Sequence, residues 1–119
     1  MLYYIVDLTR RSDVSHEEFE QRWLVEHLAM ARSLPGLVSA AFYPAADPAD
    51  SDGVRPAGVG MLTFATRADL DHALASPEAA ALRDHTRLFA DSEGARRLIA
   101  RDPVRHSPLQ NVPEEHRAP

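Results

Sequence analysis

His27 is the side chain of this sequence best suited to move a proton. An unperturbed imidazole has a pKa of about 6.5, so it accepts and releases protons near neutral pH. His27 follows Trp23 by four residues, at the border of an apolar helical stripe, and burial there would lower its pKa. The alternative is a structural histidine, hydrogen-bonded where a helix meets a sheet. We take His27 as the candidate general acid or base.

Asp7, Tyr43 and Tyr4 are the side chains expected to assist His27. Asp7 lies in an otherwise apolar strand, where an unpaired carboxylate would cost several kcal/mol. It is expected to set the His27 tautomer or to act as a base itself; the alternative is an arginine partner across a dimer interface. The Tyr43 phenol is the expected oxyanion donor and Tyr4 a second phenol of the pocket, although tyrosine is also an ordinary strand residue.

The predicted pocket lies between the inner face of the first helix and the sheet. His85 shares a helix face with Phe89 one turn away, and is expected to line the pocket mouth or else to be a surface or interface histidine. Trp23 is expected to flank His27. The full set of residues predicted to bind substrate is Trp23, Met30, Tyr4, Met61, His85 and Phe89.

Two absences from the composition narrow the chemistry. The chain has no Cys, and all thirteen basic residues are Arg. Thiol nucleophiles, thiolate metal sites, lysine Schiff bases and P-loops are therefore excluded. His72 lies beside Asp69 and Asp71, but this pattern is more typical of an acidic first helical turn than of a metal site. We predict neither a metal nor a cofactor.

Four strands are predicted from their aromatic and β-branched residues or from short apolar runs. Gly58 and Gly60 leave room in the third strand for a bulge or a close backbone approach. The predicted strands cover residues 2–8, 37–43, 57–65 and 95–101, the last of which also fits a short helix.

Two helical regions separate these strands. Ser15 with Glu18 forms a capping box that opens a helix over residues 16–33, ahead of a Pro-Gly pair. Thr66 with Asp69 forms a second box, which opens a helix over residues 67–75. Ser76 then restarts a helix, because it is a good cap and a proline follows it.

The order of the elements is βαββαβ, which predicts an α+β fold of the ferredoxin-like type. Right-handed crossovers then give a four-stranded antiparallel sheet with the helices on one face. The other face is left bare over a thin core, so we expect a homodimer through the sheet face. Residues 1–102 form the predicted domain, residues 44–56 a mobile loop, and residues 103–119, with four Pro, an extended tail.

Charge and hydropathy exclude several partners. The net charge of −5 argues against nucleic-acid binding. No apolar run approaches the roughly 18 residues of a membrane span, and the first residues lack the features of a signal peptide. We predict a cytoplasmic protein that binds neither nucleic acid nor membrane.

The helix around His27 also resembles a known family. The stretches Ser15-His-Glu-Glu-Phe19, Trp23-Leu-Val-Glu-His27 and Leu34-Pro-Gly36, with Phe64 and residues 75–79, resemble the EthD family over about residues 1–102. The resemblance implies the dimeric α+β barrel superfamily, in which two ferredoxin-like sheets pack face to face. In that family an acidic residue often stands three before the position of Phe64, and here that position is Met61. A mechanism that uses this acid would therefore draw it from elsewhere in this chain, such as Asp7 on the first strand.

The residues and the resemblance together favour a cofactor-independent enzyme. The expected reaction is proton transfer on a small cyclic or polyketide-like carbonyl compound, of the isomerase, dehydratase or cyclase type. One alternative is a cofactor-free monooxygenase or an accessory protein of an oxidising system. A second is a homodimer that binds a small molecule without catalysis.

Overall fold

The fold is a four-stranded antiparallel sheet with the helices packed on one face. The computed structural model describes residues 1–50, 56–91, 95–106 and 108. The strands stand in the order β2-β3-β1-β4, and every neighbouring pair is antiparallel. The predicted ferredoxin-like α+β fold is confirmed. The strands are β1 (Leu2–Leu8), β2 (Leu37–Pro44), β3 (Gly58–Phe64) and β4 (Arg96–Ala100).

The first helix is continuous but changes type along its length. It consists of α1 (His16–Glu20), a π-helical segment (Gln21–His27) and α2 (Leu28–Ala31). The Ser15 hydroxyl accepts from the Glu18 amide at 3.1 Å, so the predicted cap is confirmed. The π-helical segment was not predicted, and its position on the stretch that carries His27 bears on the site described below.

The second helical region is divided as the sequence predicts. The helices are α3 (Arg67–Leu74) and α4 (Pro77–Thr86). Thr66 caps α3 by accepting from the Asp69 amide, and Ser76 caps α4 by accepting from the Ala79 amide. Because both caps are satisfied locally, the chain can end one helix and start the next within three residues.

The two faces of the sheet differ in what covers them. Successive side chains of a strand point to opposite faces. Tyr4, Val6 and Leu8 of β1 face the helices, where they line a cavity. The alternate residues of β1, with Tyr43 and Leu98 from β2 and β4, belong to the opposite face. Tyr43 is 55% and Leu98 59% exposed, and we call this side the open face.

Trp23 is the centre of the largest core cluster and is almost fully buried. Its indole stacks on Phe42 at 5.2 Å between ring centroids and packs beside Phe19 at 5.5 Å. A Cβ atom placed on Gly58 would lie 2.3 Å from the Trp23 ring. Glycine at this position therefore allows the indole to approach the β3 backbone.

Some of the predictions fall outside the described residues. The extended tail after about residue 108 lies there, and so do residues 51–55 of the predicted loop. Before them, residues 48–50 form a short 3₁₀ turn (Pro48–Asp50). Among the described residues, none of the helices has both the length and the apolar character that a membrane span requires. The cytoplasmic location stays a prediction.

Candidate active site

An apolar cavity of about 210 Å³ lies between the sheet and the helices. An engineered protein cavity of about 150 Å³ is large enough to hold benzene, so this space accommodates a small cyclic molecule. Its wall is built mainly of aliphatic and aromatic side chains, with few polar groups among them, as is usual for small-molecule sites. The apolar and aromatic walls include Val6, Leu8, Trp23, Leu34, Phe42, Leu62, Phe64, Leu74 and Leu82.

His27 reaches this cavity from the last residue of the π-helical segment. The Leu28 amide donates to the Trp23 carbonyl, five residues back, which is the hydrogen bond of a π-helix. Trp23 and His27 are four residues apart, so they lie on the same side of the helix, and both line the cavity. Such π-helical insertions are frequent at functional sites. The local backbone therefore aims the candidate base at the space between helix and sheet.

A chain of hydrogen bonds runs from Glu26 through His85 to His27. His85 Nε2 lies 3.2 Å from Glu26 Oε1, and His85 Nδ1 lies 2.9 Å from His27 Nδ1. The two imidazole rings are nearly parallel, 20° apart, with centroids at 5.1 Å. Phe89, fully buried, packs edge-on against both rings. The pair is thus held by packing as well as by hydrogen bonds.

The hydrogen-bond chain determines the tautomers of the neutral rings. A carboxylate only accepts, so His85 must donate to Glu26 from its Nε2–H group. The Nδ1 atom of a neutral His85 then carries a lone pair, and His27 must donate to it from its own Nδ1–H. It follows that His27 Nε2 is unprotonated and available as a base.

The free nitrogen of His27 is open rather than buried. His27 Nε2 has no hydrogen-bond partner among the described residues, where the single buried side-chain nitrogen or oxygen without a partner is Arg10 Nε. A nitrogen that is neither bonded nor buried borders open space. Since His27 lines the cavity, a molecule bound there can contact this nitrogen.

Burial, and after it the electrostatic interaction with His85, lower the pKa of His27 to about 4. Desolvation disfavours the imidazolium form, and a second cation nearby does the same. His27 is therefore neutral at pH 7. This is the protonation state that a general base requires.

Tyr4 is the phenol that shares the cavity with His27. Its hydroxyl has no hydrogen-bond partner among the described residues and is not a buried orphan. Thr86 also lines the cavity, but its hydroxyl donates to the Leu82 carbonyl at 2.8 Å. Tyr4 is therefore the lining hydroxyl that is free to donate to a bound oxygen.

The other predicted substrate-binding residues are distributed unevenly. Trp23 lines the cavity, whereas Phe89 and His85 stand behind His27 as packing and hydrogen-bond partners. Met30 packs in a different cluster with α4. Met61 belongs to the open face, because its neighbours Gly60 and Leu62 line the cavity.

Asp7 and Tyr43 lie on the open face, so their predicted location beside His27 is corrected. Asp7 accepts from the Arg96 amide at 3.0 Å and from Arg96 Nε at 3.2 Å. The pairing of Asp7 with Val59 and of Tyr43 with the same residue places both side chains away from the helices. Successive side chains of a strand point to alternate faces of the sheet, and the alternation of apolar residues in β1 does not show which face the helices cover. Whether Asp7 or Tyr43 takes part in catalysis stays a prediction.

Glu26 is the residue of this site that the sequence did not reveal. It directly precedes His27 and lies four residues after Arg22, whose Nη1 is 3.7 Å from its carboxylate, so it resembles an ordinary surface ion pair. Its contact with His85 joins residues 59 positions apart. No group of three or more His, Asp or Glu within the described part of the chain is arranged to hold a metal.

Comparison with known families gives one match. The family model of the EthD domain matches residues 11–93, which is more than half of the chain and includes Glu26, His27 and His85. No curated protein matches the sequence significantly.

Solved structures of similar fold include three bacterial proteins. An EthD family protein of Bacillus halodurans has a TM-score of 0.68 at 15% identity, over 87% of this chain and 100% of that one. SnoaB, a cofactor-independent oxygenase of Streptomyces nogalater, has a TM-score of 0.65 at 14% identity, over 87% and 94%. A dimeric ferredoxin-like protein of unknown function from Jannaschia has 0.64 at 20% identity, over 85% and 98%. At these identities the likeness shows the fold.

Proposed function

The chain belongs to the EthD family, and from this premise we propose that it is a cofactor-independent enzyme acting by proton transfer on a small cyclic carbonyl compound. The observation that carries the proposal is the state of His27. Its Nδ1 is held by His85, its Nε2 is free, and the ring lines an apolar cavity. A base, a shaped cavity and a hydrogen-bond donor are what such a reaction requires.

The proposed step begins with a carbonyl compound bound in the cavity. His27 Nε2 takes a proton from the carbon next to the carbonyl group. The electron pair of the C–H bond forms a C=C bond, and the π pair of the carbonyl group moves onto its oxygen. The Tyr4 hydroxyl donates a hydrogen bond to this developing enolate oxygen. The imidazolium returns its proton at another carbon in an isomerisation, or to a departing hydroxyl group in a dehydration.

The low pKa of His27 restricts the substrate. A general base works best when its pKa is near the working pH, and a base with a pKa of about 4 is weak. It removes protons that are already activated, such as those between two carbonyl groups or between a carbonyl group and an aromatic ring. This favours polyketide-like and aryl ketone substrates over simple ketones.

Exchange of carbon-bound hydrogen for deuterium tests the proposal. The probe is 2-tetralone, a two-ring ketone whose C1 protons are activated by both the carbonyl group and the arene, followed by proton NMR in D₂O. The wild type should accelerate exchange, and His27→Ala should lose on the order of 10²–10⁴-fold of that acceleration. The matched control is His72→Ala on the exposed face of α3. Equal exchange in wild type and His27→Ala would overturn the proposal.

A cofactor-free monooxygenase is the second candidate. SnoaB, which shares the fold, is a cofactor-independent oxygenase, and deprotonation of an electron-rich substrate by His27 is compatible with such a reaction. Dioxygen consumption during turnover would select this candidate. Binding of 2-tetralone without exchange or dioxygen uptake would instead select the third, a dimer that binds small molecules without catalysis.

We propose a homodimer that buries the open face. Ile5, Met61 and Leu98 form an apolar row across its centre, because they are paired in register on adjacent strands. Leu98 is 59% exposed, and neither a helix nor a loop of the described residues covers it. The Jannaschia protein with the same fold is dimeric. Sedimentation at micromolar concentration should give twice the chain mass of 13.2 kDa.

A further inference from the structure

Arginine supplies all the strongly charged side chains that line the cavity. Arg83, Arg87 and Arg97 contribute to the wall, and no Asp or Glu among the described residues does so. The chain as a whole has 18 acidic and 13 basic side chains, so the wall reverses the balance of the molecule. A low-dielectric cavity with charge of one sign attracts a ligand of the opposite sign.

The three arginines come from two parts of the chain, the end of α4 and β4, and all three line the cavity. Arg83 lies on α4, and Arg87 follows it by four residues as the C-terminal cap of that helix. Arg97 pairs with Val6, a cavity residue, so it points to the helix side of β4. Its neighbour Arg96 points to the open face and binds Asp7. All three arginines of the wall are exposed, which places them where the cavity meets solvent.

Few protein groups neutralise these arginines. Arg87 lies 3.3 Å from Asp84, but their side chains are 70% and 76% exposed, and such pairs are weak. Arg83 donates to the Leu74 carbonyl at 3.3 Å, which leaves its charge unpaired. Arg97 has neither a hydrogen bond nor an ion pair within the described ranges. Their guanidinium groups can therefore bind an external anion.

We propose that these arginines bind a carboxylate group of the substrate while its ring occupies the apolar cavity. This inference rests on the proposed function and names the substrate class, a cyclic or aromatic carboxylic acid. A guanidinium group matches a planar carboxylate with two parallel N–H···O bonds. Anchoring the charged end at the opening leaves the apolar end of the molecule to extend inward, toward the part of the wall that His27 forms.

Calorimetric titration with 2-naphthoate tests the inference without requiring catalysis. The neutral control ligand is 2-naphthamide, which has nearly the same shape. We expect 2-naphthoate to bind about tenfold more tightly than the amide, since hydrogen bonds to charged groups contribute about 1.5 kcal/mol or more. Added salt should weaken the binding of 2-naphthoate and leave the binding of 2-naphthamide unchanged.

Variants assign the binding to the opening. Arg97→Gln should weaken the binding of 2-naphthoate about tenfold and leave that of 2-naphthamide unchanged. Adding Arg83→Gln and Arg87→Gln should weaken the binding of 2-naphthoate further. Arg32→Gln, which removes an exposed charge near the end of the first helix and outside the cavity wall, should have no effect. Circular dichroism of each variant checks that the fold is retained.

The outcomes separate this inference from the proposed function. His27→Ala should bind 2-naphthoate within about threefold of the wild type, because the base is not an anchor. Equal affinity for acid and amide, or an Arg97→Gln protein that binds like the wild type, would overturn the carboxylate site and leave the exchange reaction intact. Displacement of 2-naphthoate by an equal concentration of inorganic phosphate would also overturn it, since the apolar ring would then contribute nothing.

Discussion

The two faces of this sheet present the same strands to different surroundings. On the helix side, Trp23 stacks on Phe42 and the imidazole of His27 has its pKa lowered to about 4 by burial. On the open face, Asp7 binds Arg96, whose side chain is 84% exposed. A charge on the open face is screened by water, whereas a charge near His27 is not.

This difference indicates where proton chemistry is available. On the helix side, low polarity keeps the imidazole of His27 neutral, and a single hydrogen bond with His85 can select its tautomer. On the open face of one protomer, an ion pair is largely satisfied and contributes little. Neighbouring residues of one strand, such as Phe42 and Tyr43, therefore differ more in the polarity of their surroundings than residues of separate elements on the same face.

The largest effect on stability is expected at Gly58, where the Trp23 ring packs directly on the β3 backbone. Gly58→Ala places a Cβ atom 2.3 Å from the Trp23 ring and 2.9 Å from the Tyr43 carbonyl oxygen. Neither group is a flexible side-chain end, so we expect a loss of about 3 kcal/mol or more in the free energy of unfolding. The measurement is urea denaturation followed by tryptophan fluorescence.

Gly60→Ala is the matched control for that substitution. Its Cβ atom would lie 3.4 Å from the Phe42 ring, beside the cavity, and the unfolded chain loses some freedom. The free energy of unfolding should stay within about 1 kcal/mol of the wild type. A similar loss in both variants would contradict the described packing of Trp23 on β3.

Adjacent substitutions in β2 compare the two faces directly. Phe42→Ala removes the ring that stacks on Trp23 and should cost about 2–3 kcal/mol in the free energy of unfolding. Tyr43→Ala removes a side chain that is 55% exposed and should cost less than about 1 kcal/mol in the monomer. Denaturation at two protein concentrations separates the effect of Tyr43 on the proposed dimer from its effect on the protomer. Equal losses at both positions would remove the distinction between the faces.

The pH dependence of stability should show the burial of His27. Its folded pKa of about 4 lies below an unfolded value of about 6.5, so the unfolded chain binds more protons between these two values. Stability is therefore full above about pH 6.5 and is lost as the pH falls toward 4, by about 2 kcal/mol between pH 7.5 and 5. Urea denaturation across this range should show a smaller slope for His27→Gln, and an unchanged slope would contradict the buried neutral state.

The sequence predicts the frame of this molecule because its signals are local. Ser15, Thr66 and Ser76 each satisfy an amide three residues away, so the helix starts are visible without tertiary information. Alternation and β-branched residues similarly reveal β1 and β2. The π-helical turn at residues 21–27 is different, because packing around Trp23 has no short-range signature in the chain.

The site is only partly visible for the same reason. His27 stands out by its position beside an apolar stripe, but its partner His85 is 58 residues away and Glu26 resembles a surface ion pair. Alternation groups the residues of β1 into two sets, yet it does not say which set the helices cover. Asp7 and Tyr43 were for this reason assigned to the wrong side of the sheet.

The smallest effects are expected from the open face. Asp7→Asn retains an oxygen that can accept from the Arg96 amide and loses an exposed ion pair, which should cost less than about 1 kcal/mol in the free energy of unfolding. Tyr43→Phe removes only a hydroxyl group from a half-exposed ring. Neither side chain lines the cavity of its own protomer, so the rate of 2-tetralone exchange should stay within about threefold of the wild type for both variants. Tyr4→Phe, which removes the phenol on the covered face, should reduce it by about tenfold or more. A large loss of exchange in Asp7→Asn or Tyr43→Phe, with the dimer intact by sedimentation, would show that the open face contributes to the chemistry through the partner subunit.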